Sequence, residues 1–143
     1  MNRWVFYTNV IVAGHLSPHG PPGRLLGEVY AGRLRLVYDA RMAAEYRDVL
    51  LRPKFGLPAA SVRSFIRVLE DQDLVTGLPW NGELPDPDDR MFLEVAAATD
   101  EKCLVTGNLR HFPASSRGSV RVLTPAEAWE AHCQWATPDA RNR

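Results

Sequence analysis

The sequence predicts an α/β fold with a central parallel sheet of about five strands and helices on both faces. Three observations predict it. Short runs of β-forming apolar residues recur along the chain, and stretches with apolar residues at helical spacing lie between them. Parallel strands need crossovers, and each crossover buries a helical stripe against the sheet. Finally, the chain has 143 residues, 45% hydrophobic and 24% charged, the profile of one ordinary globular domain. At this length folding buries roughly 68–70% of the surface exposed by the unfolded chain, so the core needs no metal or disulfide staple.

The elements follow in order. Arg3–Tyr7 is a short apolar strand. The segment after it, punctuated by Pro18, Gly20, Pro21, Pro22 and Gly23, reads as a loop leading to a helix that carries Leu25, Leu26, Val29 and Tyr30. Gly32 ends that helix, and Leu34–Tyr38 is the second strand. Asp39 is placed to cap a helix through Leu51, with Met42, Ala43, Tyr46, Val49 and Leu50 as its apolar stripe and Pro53 as its stop. From Pro58 another helix spaces Val62, Phe65, Ile66 and Leu69 at i, i+3, i+4 and i+7, and a brief Leu74–Val75 strand follows. Gly77–Pro87 holds three prolines and two glycines, then Asp86-Pro87-Asp88-Asp89 opens a helix with Met91, Phe92, Val95 and Ala96. Cys103–Thr106 and Val120–Leu123 are the last two strands, and Thr124-Pro125-Ala126-Glu127 is a capping-box start to a helix through about Trp135. One domain over residues 1–135 and a frayed tail over 136–143 complete the reading.

Composition excludes several function classes. The 17 Lys+Arg balance 17 Asp+Glu, which rules out a polycationic nucleic-acid wrapper but leaves room for a local basic rim. Apolar stretches such as Val95–Ala98 fall far short of the ~20 residues of a membrane span, and no basic-then-apolar leader opens the chain, so no membrane partner and a cytoplasmic location are the expectation. Two cysteines, Cys103 and Cys133, are too few for a disulfide framework and read as packed, reduced thiols. His15 and His19 stand four apart, but Ser17-Pro18 between them is not helical, so they do not read as a zinc pair. No Ser/Cys–His nucleophile is arranged.

In parallel sheets ligands meet the carboxyl ends of the strands, which makes Tyr7, Thr8, Asn9, Asp39, Thr106, Gly107 and Asn108 the first suspects. Asp86, Asp88 and Asp89 crowd one helix start where a cap needs a single side chain, so they read either as a divalent-cation site or as a solvated acidic helix end. Glu45 lies close to the stripe that faces the sheet, where a charge without a partner is costly, so it reads either as a site carboxylate or as an ordinary exposed helix glutamate. Arg41, Arg90, Arg110 and His111 are candidates to meet phosphate, each otherwise a solvated surface charge. Trp80 could stack on a base or pack on the body, and Trp129 and Trp135 read as core or dimer contacts.

Four segments in this order, Val5-Phe6-Tyr7-Thr8-Asn9-Val10-Ile11-Val12, Glu45-Tyr46-Arg47-Asp48-Val49-Leu50, Pro85 to Ala96 and Leu104-Val105-Thr106-Gly107-Asn108, resemble the PIN-domain family. They look most like the VapC-type ribonuclease toxins of toxin–antitoxin pairs. The resemblance covers about residues 3–130. It implies a three-layer PIN-like sandwich whose acidic residues hold Mg²⁺ or Mn²⁺ to cut RNA, with a cognate antitoxin and a homodimer as partners. Carried over by position, the metal-binding carboxylates fall on Glu45 and Asp89, with Asp88 beside them and Asn108 at the fourth site position. Thr8, Asn9, Asp86 and Thr106 support them, and Arg41, Arg90, Arg110 and His111 face the RNA.

The family's first aspartate falls on Tyr7. A phenol with a pKa near 10 is neutral at working pH and a poor ligand for a hard cation, so impaired cleavage by this chain is the expectation. Two origins fit: a naturally degenerate member, or a single-base Asp-to-Tyr change selected against a toxic nuclease. Beside the nuclease stands a second class of function, a silent PIN-like module that holds RNA or a protein without cutting.

Overall fold

The computed structural model describes residues 1–136. Five parallel strands form one sheet in the order β3-β2-β1-β4-β5: β1 is Arg3–Phe6, β2 Arg35–Tyr38, β3 Asp73–Leu74, β4 Cys103–Val105 and β5 Arg121–Leu123. Six helices connect and follow them: α1 Thr8–Leu16, α2 Pro21–Tyr30, α3 Ala40–Leu50, α4 Ala59–Glu70, α5 Arg90–Ala97 and α6 Pro125–Ala136. Val5 and Phe6 of β1 pair with Leu104 and Val105 of β4, while Arg3 and Trp4 pair with Arg35 and Leu36 of β2. Trp4, Val5 and Phe6 are all buried, as are all three residues of β4. Successive strand residues point to opposite faces, so burial of every one means that both faces of the sheet are covered.

Helix α1 is the main departure from the sequence reading, in which a loop punctuated by Pro18 to Gly23 joins the first strand to the helix carrying Leu25. Its Val10, Ile11, Val12 and Gly14 are buried, and the helix is packed by both α2 and α3. A helix apolar on nearly every side has no polar face to give a 3.6-residue rhythm, and its β-branched run mimics a strand. Gly14 is where α2 crosses: a Cβ there would come within 2.4 Å of Leu26 Cδ1 and 2.9 Å of the Pro22 carbonyl oxygen. Helix α2 begins at Pro21, earlier than Leu25, because proline in the first helical turn gives up an N–H that has no partner there anyway.

The other helix starts follow the sequence. Asp39 Oδ1 accepts from the Met42 amide (3.0 Å), and Thr124 and Glu127 exchange reciprocal bonds of 2.9 and 3.2 Å at the start of α6. That helix includes Ala136, and the rest of the expected frayed tail lies outside the described residues. Cys103 is buried in β4, whereas Cys133 lies on the exposed side of α6 and is not a packed thiol. Trp129 is half-buried against the core, 6.0 Å from the Arg24 guanidinium. No helix among the described residues is long and apolar enough to cross a membrane.

Candidate functional site

The chain lays β2 and β3 to one side of β1, then returns to place β4 and β5 on the other. The connections leaving β1 and β4 diverge there, and such a switch point opens a crevice at the carboxyl ends of the two strands. The residues at that crevice are Tyr7-Thr8-Asn9 and Thr106-Gly107-Asn108. The Tyr7 amide donates to the Val105 carbonyl (2.8 Å), carrying the ladder one residue beyond β1 before α1 starts. Asn9 ties the strand ends together, its Oδ1 accepting the Gly107 N–H at 3.1 Å. Buried Thr106 accepts the Asn108 amide through Oγ1 (3.1 Å), and Asn108 Oδ1 accepts the Arg110 amide (3.1 Å), so Asn108 serves as the cap of the following 3-10 turn.

Two carboxylates reach this crevice from separate helices. Glu45, on α3, accepts a hydrogen bond from the Thr8 hydroxyl. Asp89 ends the 3-10 turn Pro87–Asp89, and its carboxylate does not cap α5. It turns inward instead and is only 2% exposed. Tyr7 Oη donates to Asp89 Oδ1 (2.9 Å), and His111 Nδ1 lies 2.8 Å from the phenol oxygen and 3.2 Å from Asp89 Oδ2. The Tyr7 ring is held edge-on by Phe92, His111 and Phe112, with centroids 4.9, 5.3 and 5.3 Å away.

The electrostatics follow from burial. Burial pushes the Glu45 carboxyl above the ordinary carboxylate range, and the charges of Asp89, Asp86 and Asp88 add to the rise while the Thr8 bond opposes it. Asp89 is raised by burial too, held back by the Tyr7 and His111 bonds. The Tyr7 hydroxyl is driven far above its usual value by burial and then by the Asp89 charge, so it stays protonated and acts as a donor.

The remaining sequence candidates fall elsewhere. Asp86 caps the 3-10 turn by accepting the Asp88 amide (2.9 Å), and Asp88 itself is exposed, so only one of the three clustered aspartates turns inward. Among the described residues no three His, Cys, Asp or Glu side chains converge as a metal cluster. Arg41 is engaged by Asp39 (2.7 Å) and Glu94 (2.9 Å) and is not a free phosphate contact. Glu94 also accepts the Trp80 amide (3.2 Å), fixing the acidic loop to α5. Arg90 and Arg110 are exposed beside the crevice residues Asp89 and Asn108. His111 is the surprise: placed by sequence among the phosphate contacts, it is a partner of Tyr7 and Asp89. Its position three residues beyond Asn108 was the only signal for it, and the 3-10 turn Leu109–His111 brings it round.

The PIN-domain family model matches residues 3–110, about three quarters of the chain, and takes in Tyr7, Glu45, Asp89 and Asn108. The chain belongs to the PIN-domain family. No curated protein matches it. As a PIN domain the chain is a nuclease-like module, and the family acts generally on RNA with divalent metal. In this PIN domain the crevice presents two carboxylates, a phenol and an imidazole. Such a set can bind a cation and hold a proton between Tyr7 and Asp89, and the exposed Arg90 and Arg110 beside it can hold a phosphate.

Proposed function

We propose that this PIN domain is a metal-dependent endoribonuclease, the toxin half of a toxin–antitoxin pair, whose metal site is restrained in this chain by Tyr7. The observation that carries the reading is the arrival of Glu45, from α3, and Asp89, from the 3-10 turn before α5, at the β1/β4 crevice with the Tyr7 phenol bonded to Asp89.

The donor set fits a weakly held hard cation. Mg²⁺ commonly rests on one or two carboxylates, water and substrate phosphate, and a cation would relieve the desolvation that raises both Glu45 and Asp89. Glu45 and Asp89 would hold Mg²⁺ or Mn²⁺, with Asp88 as an outer anion. When bound, the ion supplies charge to the phosphodiester and an activated water. The chain's own residues do the rest. Thr8 orients Glu45, Asn9 and Thr106 hold the strand ends that frame the crevice, and Arg90 and Arg110 meet the RNA backbone. Tyr7 opposes binding because its hydroxyl occupies one Asp89 oxygen. The order of the four sequence motifs supports the toxin role, with an antitoxin, a homodimer and a cytoplasmic setting as its corollaries.

The closed contact of Tyr7, Asp89 and His111 favours a second reading, a PIN module that binds RNA or a protein without cutting. One experiment separates the two: cleavage of single-stranded RNA by the chain and by Tyr7→Asp, with Mg²⁺, Mn²⁺ or EDTA. The nuclease reading expects the variant to gain cleavage by at least a hundredfold, lost with EDTA and with Glu45→Gln. No cleavage by either chain supports the binding module.

A further inference from the structure

We propose that a pocket beside the crevice, between the start of α3 and the turn after β3, binds one unpaired base of single-stranded RNA, with the Arg41 guanidinium as its stacking face. The inference rests on the reading that the ligand is RNA and does not depend on cleavage. Arg41, Leu74, Val75, Thr76 and Gly77 line the pocket, whose volume of about 540 Å³ is that of a small-molecule site. Its place follows from the sheet. The register that sets Arg3 against Arg35 brings Asp39 level with Tyr7 on the neighbouring strand, and adjacent strands lie about 4.7–4.9 Å apart. An RNA with a phosphate at the crevice therefore carries a neighbouring base to the pocket.

The bonding of Arg41 selects a base over a phosphate. Its Nε donates to Asp39 Oδ2 (2.8 Å) and its Nη1 to Glu94 Oε1 (2.9 Å), while Nη2 lies 2.7 Å from Asp39 Oδ2. Two carboxylates outweigh the one positive charge, so a phosphate finds no net attraction there. Yet the Arg41 side chain is still 53% exposed. The N–H donors of a guanidinium lie in its plane, so carboxylates on two of its edges leave the flat face to a ligand, and unpaired bases stack on such faces. The plate is also held still. Glu94 accepts the Trp80 amide through Oε2 (3.2 Å) and the Leu78 amide through its carbonyl (2.9 Å). Gly77 lets the loop settle on α5, since a Cβ there would stand 3.1 Å from the Glu94 carbonyl carbon. Leu74, 64% exposed on the edge strand β3, supplies an apolar wall.

The test is fluorescence anisotropy in EDTA with two short labelled strands that carry the same number of phosphates, a single-stranded RNA and its abasic counterpart. The chain should bind the RNA about fivefold or more tighter than the abasic strand, the advantage of one stacked base. Arg41→Lys keeps the charge and loses the plane, and Leu74→Ser removes the apolar wall. In each variant the preference for the base-bearing strand should shrink severalfold while binding of the abasic strand stays as in the chain. Melting curves check that both variants are folded. A preference unchanged in folded Arg41→Lys, or equal binding of the two strands by the chain, overturns the proposal. If the chain binds neither strand, the pocket and the RNA reading fall together. If the preference is as described while Tyr7→Asp cuts no RNA, the nuclease reading fails alone. If Tyr7→Asp cuts RNA but the chain does not distinguish the two strands, the base pocket fails alone.

Discussion

Replacing Tyr7 by phenylalanine isolates what its hydroxyl does. The ring contacts with Phe92, His111 and Phe112 remain, and the donor to Asp89 Oδ1 at 2.9 Å is removed. A hydrogen bond to a charged partner contributes about 1.5–3 kcal/mol, and its loss leaves a buried carboxylate with one partner fewer. Two effects reduce the cost. His111 Nδ1 stays 3.2 Å from Asp89 Oδ2, and Asp89, already raised by burial, can take up a proton. A net loss of about 1–2 kcal/mol remains at pH 7, which for a chain of this size lowers Tm by about 3–8 °C. The sign with pH is fixed by the same bond. Because Tyr7 stabilises the ionised form of Asp89, its contribution is present above the carboxyl's pKa and fades as acid protonates Asp89. The assay is urea unfolding of both chains in EDTA at neutral and acidic pH. Equal stabilities at pH 7, or a difference that grows on acidification, would refute the reasoning.

Two further predictions follow from the same structure. His132 is buried, its Nδ1 accepts from Asn2 Nδ2 (3.2 Å), and among the described residues its Nε2 has no hydrogen-bond partner. Burial holds its pKa below the usual 6.5, so below that pH the unfolded chain takes up a proton that the folded chain refuses. Relative to His132→Leu, the chain should lose up to about 1.4 kcal/mol per pH unit on acidification below 6.5, read from urea midpoints; parallel pH profiles would contradict this. Arg90→Ala and Arg110→Ala should each weaken binding of single-stranded RNA and lower the slope of log affinity against log salt by about 0.7, whereas Arg41→Ala, already paired to Asp39 and Glu94, should leave that slope unchanged.

The sheet was legible in the sequence because each strand is a short apolar run between turn signals, and Asp39 and Thr124 announced their helices through caps. Helix α1 was not legible, since a helix buried on nearly all sides loses the polar rhythm on which periodicity depends. At the site, Tyr7, Glu45 and Asp89 could be picked out by motif order and position. The sequence did not say which of Asp86, Asp88 and Asp89 turns inward. In a tight 3-10 turn successive side chains point about 120° apart, so a one-residue difference in the turn decides it. His111 was legible as a nearby cation and not as the partner of Tyr7, because that contact joins two turns 104 residues apart.

The central claim is that Tyr7 restrains a carboxylate site whose other members are in place. Mg²⁺ binding measures it without any assumption about substrate. Calorimetric titration of MgCl₂ into the chain, Tyr7→Asp and Tyr7→Asp/Glu45→Gln should show at least tenfold tighter binding by the single variant and loss of that gain in the double one. Equal Mg²⁺ affinity in the chain and in Tyr7→Asp would contradict the account.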